Sequence, residues 1–180
     1  TSEMDNGNGS MMRILPLTYY CFSKNMNEKE IYEIVKNVSS ITHGHEISIM
    51  GCFIYVMYGI ELVSKKNLTQ AYEKIKKIKY NTYFSEKTID RYERILKKNI
   101  KKYSLDEIKS TGFIVDTLEA TLWTLLNTNS YNQSIIGAIN LGNDTDTVGA
   151  CVGGLAGIYY GLENINKTWQ SELLKYDYIV

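Results

Sequence analysis

Proline occurs once in this 180-residue chain, at Pro16, histidine twice and cysteine three times. A single proline leaves almost nothing to interrupt helix interiors, so long continuous helices are expected. Cys21, Cys52 and Cys151 are odd in number and far apart, with no Cys-x-x-Cys spacing. A disulfide framework is therefore not indicated, and the thiols read as buried groups in a reducing, cytoplasmic compartment. His43 and His45 stand at i and i+2 and are the only histidines. They do not share a helix face, which argues against a zinc site. An excess of charge is also missing: 20 Lys and Arg balance 20 Asp and Glu. No global electrostatic case exists for a nucleic-acid or membrane partner. No signal peptide opens the chain, and the apolar stretch 148–162 is too short and too rich in glycine for a comfortable membrane span.

What is present suits one domain over residues 1–180, since 44% hydrophobic and 22% charged residues are ordinary for a globular protein. Ile31, Ile34, Val35 and Val38 recur at helical spacing behind Asn27, a plausible cap. An apolar helix follows over 47–63. Residues 65–109 carry fourteen basic residues against six acidic ones, interleaved with Tyr72, Tyr80, Tyr83, Tyr92 and Tyr103. That mixture could touch an acidic partner. The plainer reading is two amphipathic helices, around Leu68–Ile75 and Ile89–Leu96, with solvated lysine faces.

Four stretches carry polar chemistry. In Leu141-Gly-Asn-Asp-Thr-Asp-Thr-Val-Gly-Ala150, Asp144 falls at the expected N-cap of a helix, with Asp146 and Thr147 in its first turn. Gly149, Gly153 and Gly157 recur every four residues, a ridge that lets another helix approach closely. Two carboxylates and a hydroxyl are hard oxygen donors suited to Mg²⁺, Ca²⁺ or Mn²⁺, although ordinary capping would also explain the acids. A helix N-terminus repels a cation, so a metal here needs further acidic ligands. In the second stretch, Gly7, Asn8 and Gly9 form a turn before a helix start, able to adopt unusual backbone conformations and to cradle an anion. Arg13, charged within an apolar run, is expected to pair with an acid. The third is Thr42-His43-Gly44-His45-Glu46. The fourth, Ser110-Thr-Gly-Phe-Ile-Val-Asp-Thr-Leu-Glu-Ala120, opens a helix in which Asp116 and Glu119 suit capping or core pairing.

Together, Asn-Asp-Thr-Asp-Thr-Val-Gly-Ala, Gly-Asn-Gly-Ser-Met-Met-Arg, Thr-His-Gly-His and Gly-Phe-Ile-Val-Asp-Thr-Leu-Glu-Ala closely resemble segments of the ADP-ribosylglycohydrolase family, in family order. The resemblance implies an all-α orthogonal helical bundle. It also implies Mg²⁺-dependent hydrolysis that removes ADP-ribose from a protein side chain, or from a small ADP-ribosyl or O-acyl-ADP-ribose substrate. By position it implies metal ligation by Asp144, Asp146 and Thr147 in a site of two Mg²⁺ ions, with Mn²⁺ as a substitute. It gives substrate contacts to Asn6, Gly7, Asn8, Gly9, Ser10, His43 and Phe113. His45 is expected to support structure, and Phe113 stands where the family has tyrosine, able to stack but not to donate a hydrogen bond. The family's Thr-Asp-Asp segment and first Gly/Ala-rich helix have no counterpart here. The chain therefore resembles the C-terminal portion of the fold, and the expected catalytic acid belongs to the N-terminal portion. A bound N-terminal fragment or separate chain would complete the site. The alternative is a catalytically inactive ADP-ribose binder or structural remnant.

Overall fold

A computed structural model describes residues 6–179; residues 1–5 of the turn-rich opening stretch lie outside the described residues. The expected all-α architecture is found. The helices are α1 (Pro16–Ser23), α2 (Glu28–Ser40), α3 (Glu46–Val63), α4 (Leu68–Ile75), α5 (Glu86–Arg91), α6 (Glu93–Leu96), α7 (Ile114–Asn127), α8 (Tyr131–Ile139), α9 (Thr145–Tyr160), α10 (Lys167–Glu172) and α11 (Tyr176–Ile179). Pro16 opens α1, where its missing N–H costs nothing. Asn27 caps α2 through a reciprocal pair with Glu30, as its side-chain chemistry predicts.

The core is built around α3, which is apolar on all sides and is covered by α1, α2, α4, α7 and α9. It is the one helix among the described residues long and apolar enough to cross a membrane, yet 72% of it is buried inside the protein. Its two buried tyrosine hydroxyls are satisfied internally. Tyr55 Oη donates to Cys151 O at 2.9 Å, and Tyr58 Oη donates to Leu68 O at 3.1 Å. A Cβ on Gly51 would stand 2.7 Å from Tyr92 Oη and 2.8 Å from Ile114 Cδ1, so this glycine sets how closely neighbours approach α3. The ridge on α9 works as expected: Gly149 and Gly153 face Ile139 and Ile135 of α8, and Gly157 faces Tyr131.

Three sequence expectations need correction. The helix expected from Ser110 begins only at Ile114, because residues 110–113 pair their backbone with other loops instead. The second amphipathic helix of the basic region is two short ones. Tyr92 separates them as its ring turns into the core and its hydroxyl donates to Ile47 O at 2.7 Å. Arg13 meets no acid among the described residues; its guanidinium donates to Thr42 Oγ1 at 2.6 Å and to Val38 O at 3.3 Å. The tyrosines of the basic region are largely consumed in packing. Tyr80 and Tyr83 join Tyr32, Phe53 and Phe84 in an aromatic cluster, and Tyr72 Oη donates to Ile95 O.

Candidate active site

Three loops distant in sequence are tied together by main-chain bonds. Gly7 and Phe113 form an isolated antiparallel bridge, with Asn8 N donating to Gly112 O and Ile114 N to Asn6 O, each at 3.0 Å. Asp144 N donates to Ser110 O at 3.0 Å, and Ser110 Oγ donates to Gly142 O at 2.8 Å. Gly142 (φ 79°) and Asn143 (φ 53°) are both left-handed. This pair of residues tolerant of positive φ swings the chain off the helical path just before Asp144.

Asp144 does not cap α9 with its side chain. Its Oδ2 instead accepts from Asn8 Nδ2 at 2.5 Å, while the same amide donates to Thr117 Oγ1 at 2.8 Å. Asp146 is exposed and Thr147 is buried. Helical threonines commonly bond back to the preceding turn, as Thr121 does to Thr117 O and Thr128 to Thr124 O. The Thr147 hydroxyl has no such partner among the described residues. Two carboxylates and a hydroxyl within four residues are a donor set whose chemistry fits a hard divalent cation. Among the described residues no group of three or more His, Cys, Asp or Glu could hold a metal, so these donors alone would make only part of a shell.

The second motif divides its tasks. Asn6 is buried and its Oδ1 accepts from Ser48 Oγ at 2.9 Å, and Ser10 is buried with its hydroxyl 3.3 Å from Cys52 Sγ. Ser10 can therefore offer a ligand only its backbone amide, and the amides of Gly9 and Ser10 have no acceptor among the described residues. Neither Gly7 nor Gly9 adopts positive φ. What favours glycine at position 9 is space: a Cβ there would sit 3.0 Å from His43 Cε1. His43 thus lies over the glycine turn, its Nδ1 2.8 Å from Thr42 Oγ1. His45 caps α3 by accepting from Ile47 N, the structural task expected of it.

The glycine turn and the Phe113 loop border a cleft of about 540 Å³, whose walls include Gly7, Gly112, Phe113, Asp116, Arg91 and Lys109. Phe113 is half-buried and Gly112 exposed at its edge. A Cβ on Gly112 would lie 3.7 Å from Asp144 Oδ2, which places the carboxylate beside the cleft mouth. Asp116 accepts from Thr111 Oγ1 at 2.7 Å and so helps shape the 110–113 loop. Arg91 and Lys109 were not legible as cleft residues. Within a run of lysines they read as solvated surface, and only the packing of α5 against α3 brings Arg91 to the wall. Glu119 belongs to the core, paired with Arg94. The three thiols are free and buried, and burial pushes Cys52 up to about 11 and Cys151 up to about 12.

Comparison with known proteins identifies the family. The ADP-ribosylglycohydrolase family profile matches residues 1–180. The ADP-ribosylarginine hydrolase of Serratia proteamaculans is 43% identical over 79 residues, covering 44% of this chain and 22% of that protein. The ADP-ribosyl-(dinitrogen reductase) glycohydrolase of Rhodospirillum rubrum is 26% identical over 174 residues, 96% of this chain and 52% of that protein. A solved structure titled as an ADP-ribosylglycohydrolase-related protein complex superposes with a TM-score of 0.79 at 23% identity, covering 99% of this chain and 58% of that one, and so shares its fold. The chain spans about half the length of the Rhodospirillum protein and of the solved one. With its full length matched by the family profile and its helices arranged as in that solved fold, the chain belongs to the ADP-ribosylglycohydrolase family.

Proposed function

We propose that this chain supplies the ADP-ribose cleft and part of the divalent-metal shell of a hydrolase. The enzyme would detach ADP-ribose from a modified protein side chain, or from a small ADP-ribosyl or O-acyl-ADP-ribose substrate. The observation that carries this reading is a cleft walled by Gly7, Gly112 and Phe113, with Asp144 bonded to Asn8 of the same glycine turn and lying next to Gly112. The Serratia and Rhodospirillum relatives, both hydrolases of ADP-ribosyl groups by name, support the same chemistry.

Asp144, Asp146 and Thr147 would hold Mg²⁺, with Mn²⁺ as a substitute, in a site of two ions. A bound ion would supply Lewis-acid and template effects at the ribose and the attacking water. The free amides of Gly9 and Ser10, with Arg91 and Lys109 in the cleft, would offset the diphosphate charge. Phe113 would stack on the ligand, and His43 would contact a ribose or phosphate oxygen. The remaining ligands and the acid acting at the reacting carbon would come from an N-terminal fragment or separate chain completing the fold. The three buried, separated thiols suit the cytoplasm.

The test is Mg²⁺-dependent release of ADP-ribose from ADP-ribosylated peptide by the natively purified protein. Asp144→Ala and Asp146→Ala should each abolish it, and full activity in both variants would refute the metal assignment. A second reading, an ADP-ribose binder without turnover, is favoured by the absence of a three-ligand cluster among the described residues. Multiple turnover by the purified protein would exclude it.

A further inference from the structure

Motif resemblance assigns Asn8 to the ligand, but its side chain is engaged elsewhere. We infer that Asn8 is a positioning residue whose amide orients Asp144 for a divalent cation; the inference rests on the metal reading above. Asn8 is 8% exposed, and Nδ2 donates both to Thr117 Oγ1 and to Asp144 Oδ2. Chemistry fixes which end of the amide faces them. An ionised carboxylate only accepts, and Thr117 Oγ1 has carbonyl acceptors of its own in Thr111 O at 2.9 Å and Phe113 O at 3.2 Å. Nδ2 therefore faces both, and its two hydrogens are used up.

The arrangement is rigid on each side. The Asn8 backbone donates to Gly112 O and accepts from Met11 N and Met12 N, so the side chain projects from a fixed base. Thr117 is fully buried on α7 and holds the amide against rotation. Asp144 is held by its own N–H at Ser110 and by Asn8 at Oδ2, which leaves Oδ1 without a hydrogen-bond partner among the described residues. One carboxylate oxygen is thereby anchored and the other presented. Outer partners of this kind hold ligating carboxylates in one orientation, and their loss typically weakens metal binding about 10–100-fold.

The experiment measures Mn²⁺ binding by electron paramagnetic resonance of the free ion, and ADP-ribose binding without metal by calorimetry, on natively purified protein. Asn8→Leu should weaken Mn²⁺ binding about 10–100-fold and leave ADP-ribose affinity unchanged. Thr117→Val, which frees one amide hydrogen, should shift Mn²⁺ affinity the same way, and Thr117→Ser should restore it. Unchanged Mn²⁺ affinity with weakened ADP-ribose binding would overturn the inference and make Asn8 a substrate contact. Parallel losses in both affinities would also overturn it, as a merely structural effect. Should Asn8→Leu not fold, the Thr117 pair decides: wild-type Mn²⁺ affinity in Thr117→Val refutes the positioning role. A wild-type protein that binds no Mn²⁺ would refute the metal reading itself and this inference with it.

Discussion

Among the described residues Glu119 is the one charged side chain in the buried set, and Arg94→Ala would expose what its burial costs. The Glu119 side chain is 9% exposed and accepts from Arg94 Nε at 2.9 Å. The guanidinium also donates to Glu107 O at 2.8 Å and lies 4.1 Å from the Tyr103 ring centroid. Burial raises the Glu119 carboxyl above its ordinary value of 4.5, and the hydrogen bond and charge of Arg94 oppose this only in part. The folded state thus holds this proton more tightly than the unfolded chain does. The associated stability is present below about pH 4.5 and is lost as pH rises through the folded value. Removing Arg94 pushes that value higher and widens the window. Breaking a fully buried pair costs about 3–5 kcal/mol. Arg94 is 45% exposed, so solvent screening reduces the expected loss to about 2 kcal/mol near pH 7.5. That corresponds to a fall in Tm of roughly 4–8 °C for a chain of this size. Urea denaturation near pH 5 and near pH 7.5 is the assay, and the deficit should shrink to under about 1 kcal/mol at the lower pH. Adding Glu119→Gln should recover most of the loss near neutrality. An equal deficit at both pH values would refute the electrostatic reasoning and assign the loss to packing over Tyr103.

Gly51→Ala forces a Cβ to within 2.8 Å of both Tyr92 and Ile114, and should destabilise by about 1–3 kcal/mol, read as a lower Tm with unchanged helical circular dichroism; an unaltered Tm would show that α3 has room the packing does not suggest. Phe113→Ala should weaken ADP-ribose binding by about 1–3 kcal/mol if the ring stacks on the base, whereas Phe113→Tyr should retain it. Equal affinity of all three proteins in calorimetry would remove Phe113 from the site.

Several features of the fold, and the candidate oxygen donors, could be read from local pattern. Asn27 announced the start of α2, and the four-residue glycine spacing announced a close helix partner for α9. Asp144, Asp146 and Thr147 stood out as oxygen donors because they fall within four residues of one another. The tasks of neighbouring motif residues were not legible in the same way. Ser10 and Asn6 lie in the glycine turn with Asn8, yet one hydroxyl meets Cys52 and one amide oxygen meets Ser48. Glu46 is similar: its carboxylate accepts from Ser85 and Thr88, partners 39 and 42 positions away.

The sequence by itself determined the helical class, the start of α2, the ridge on α9 and the family, because caps, periodicity and short motifs are properties of adjacent residues. The tertiary structure alone decided that Asp144 turns from its own helix to Asn8, 136 positions away, and that Ser110–Phe113 stays outside the helix. It also decided that Arg91 and Lys109 wall the cleft while Arg94 meets Glu119. The physical reason is competition for partners. A cap, a loop carbonyl and a distant amide offer bonds of similar worth, and packing around α3 determines which of them comes within reach.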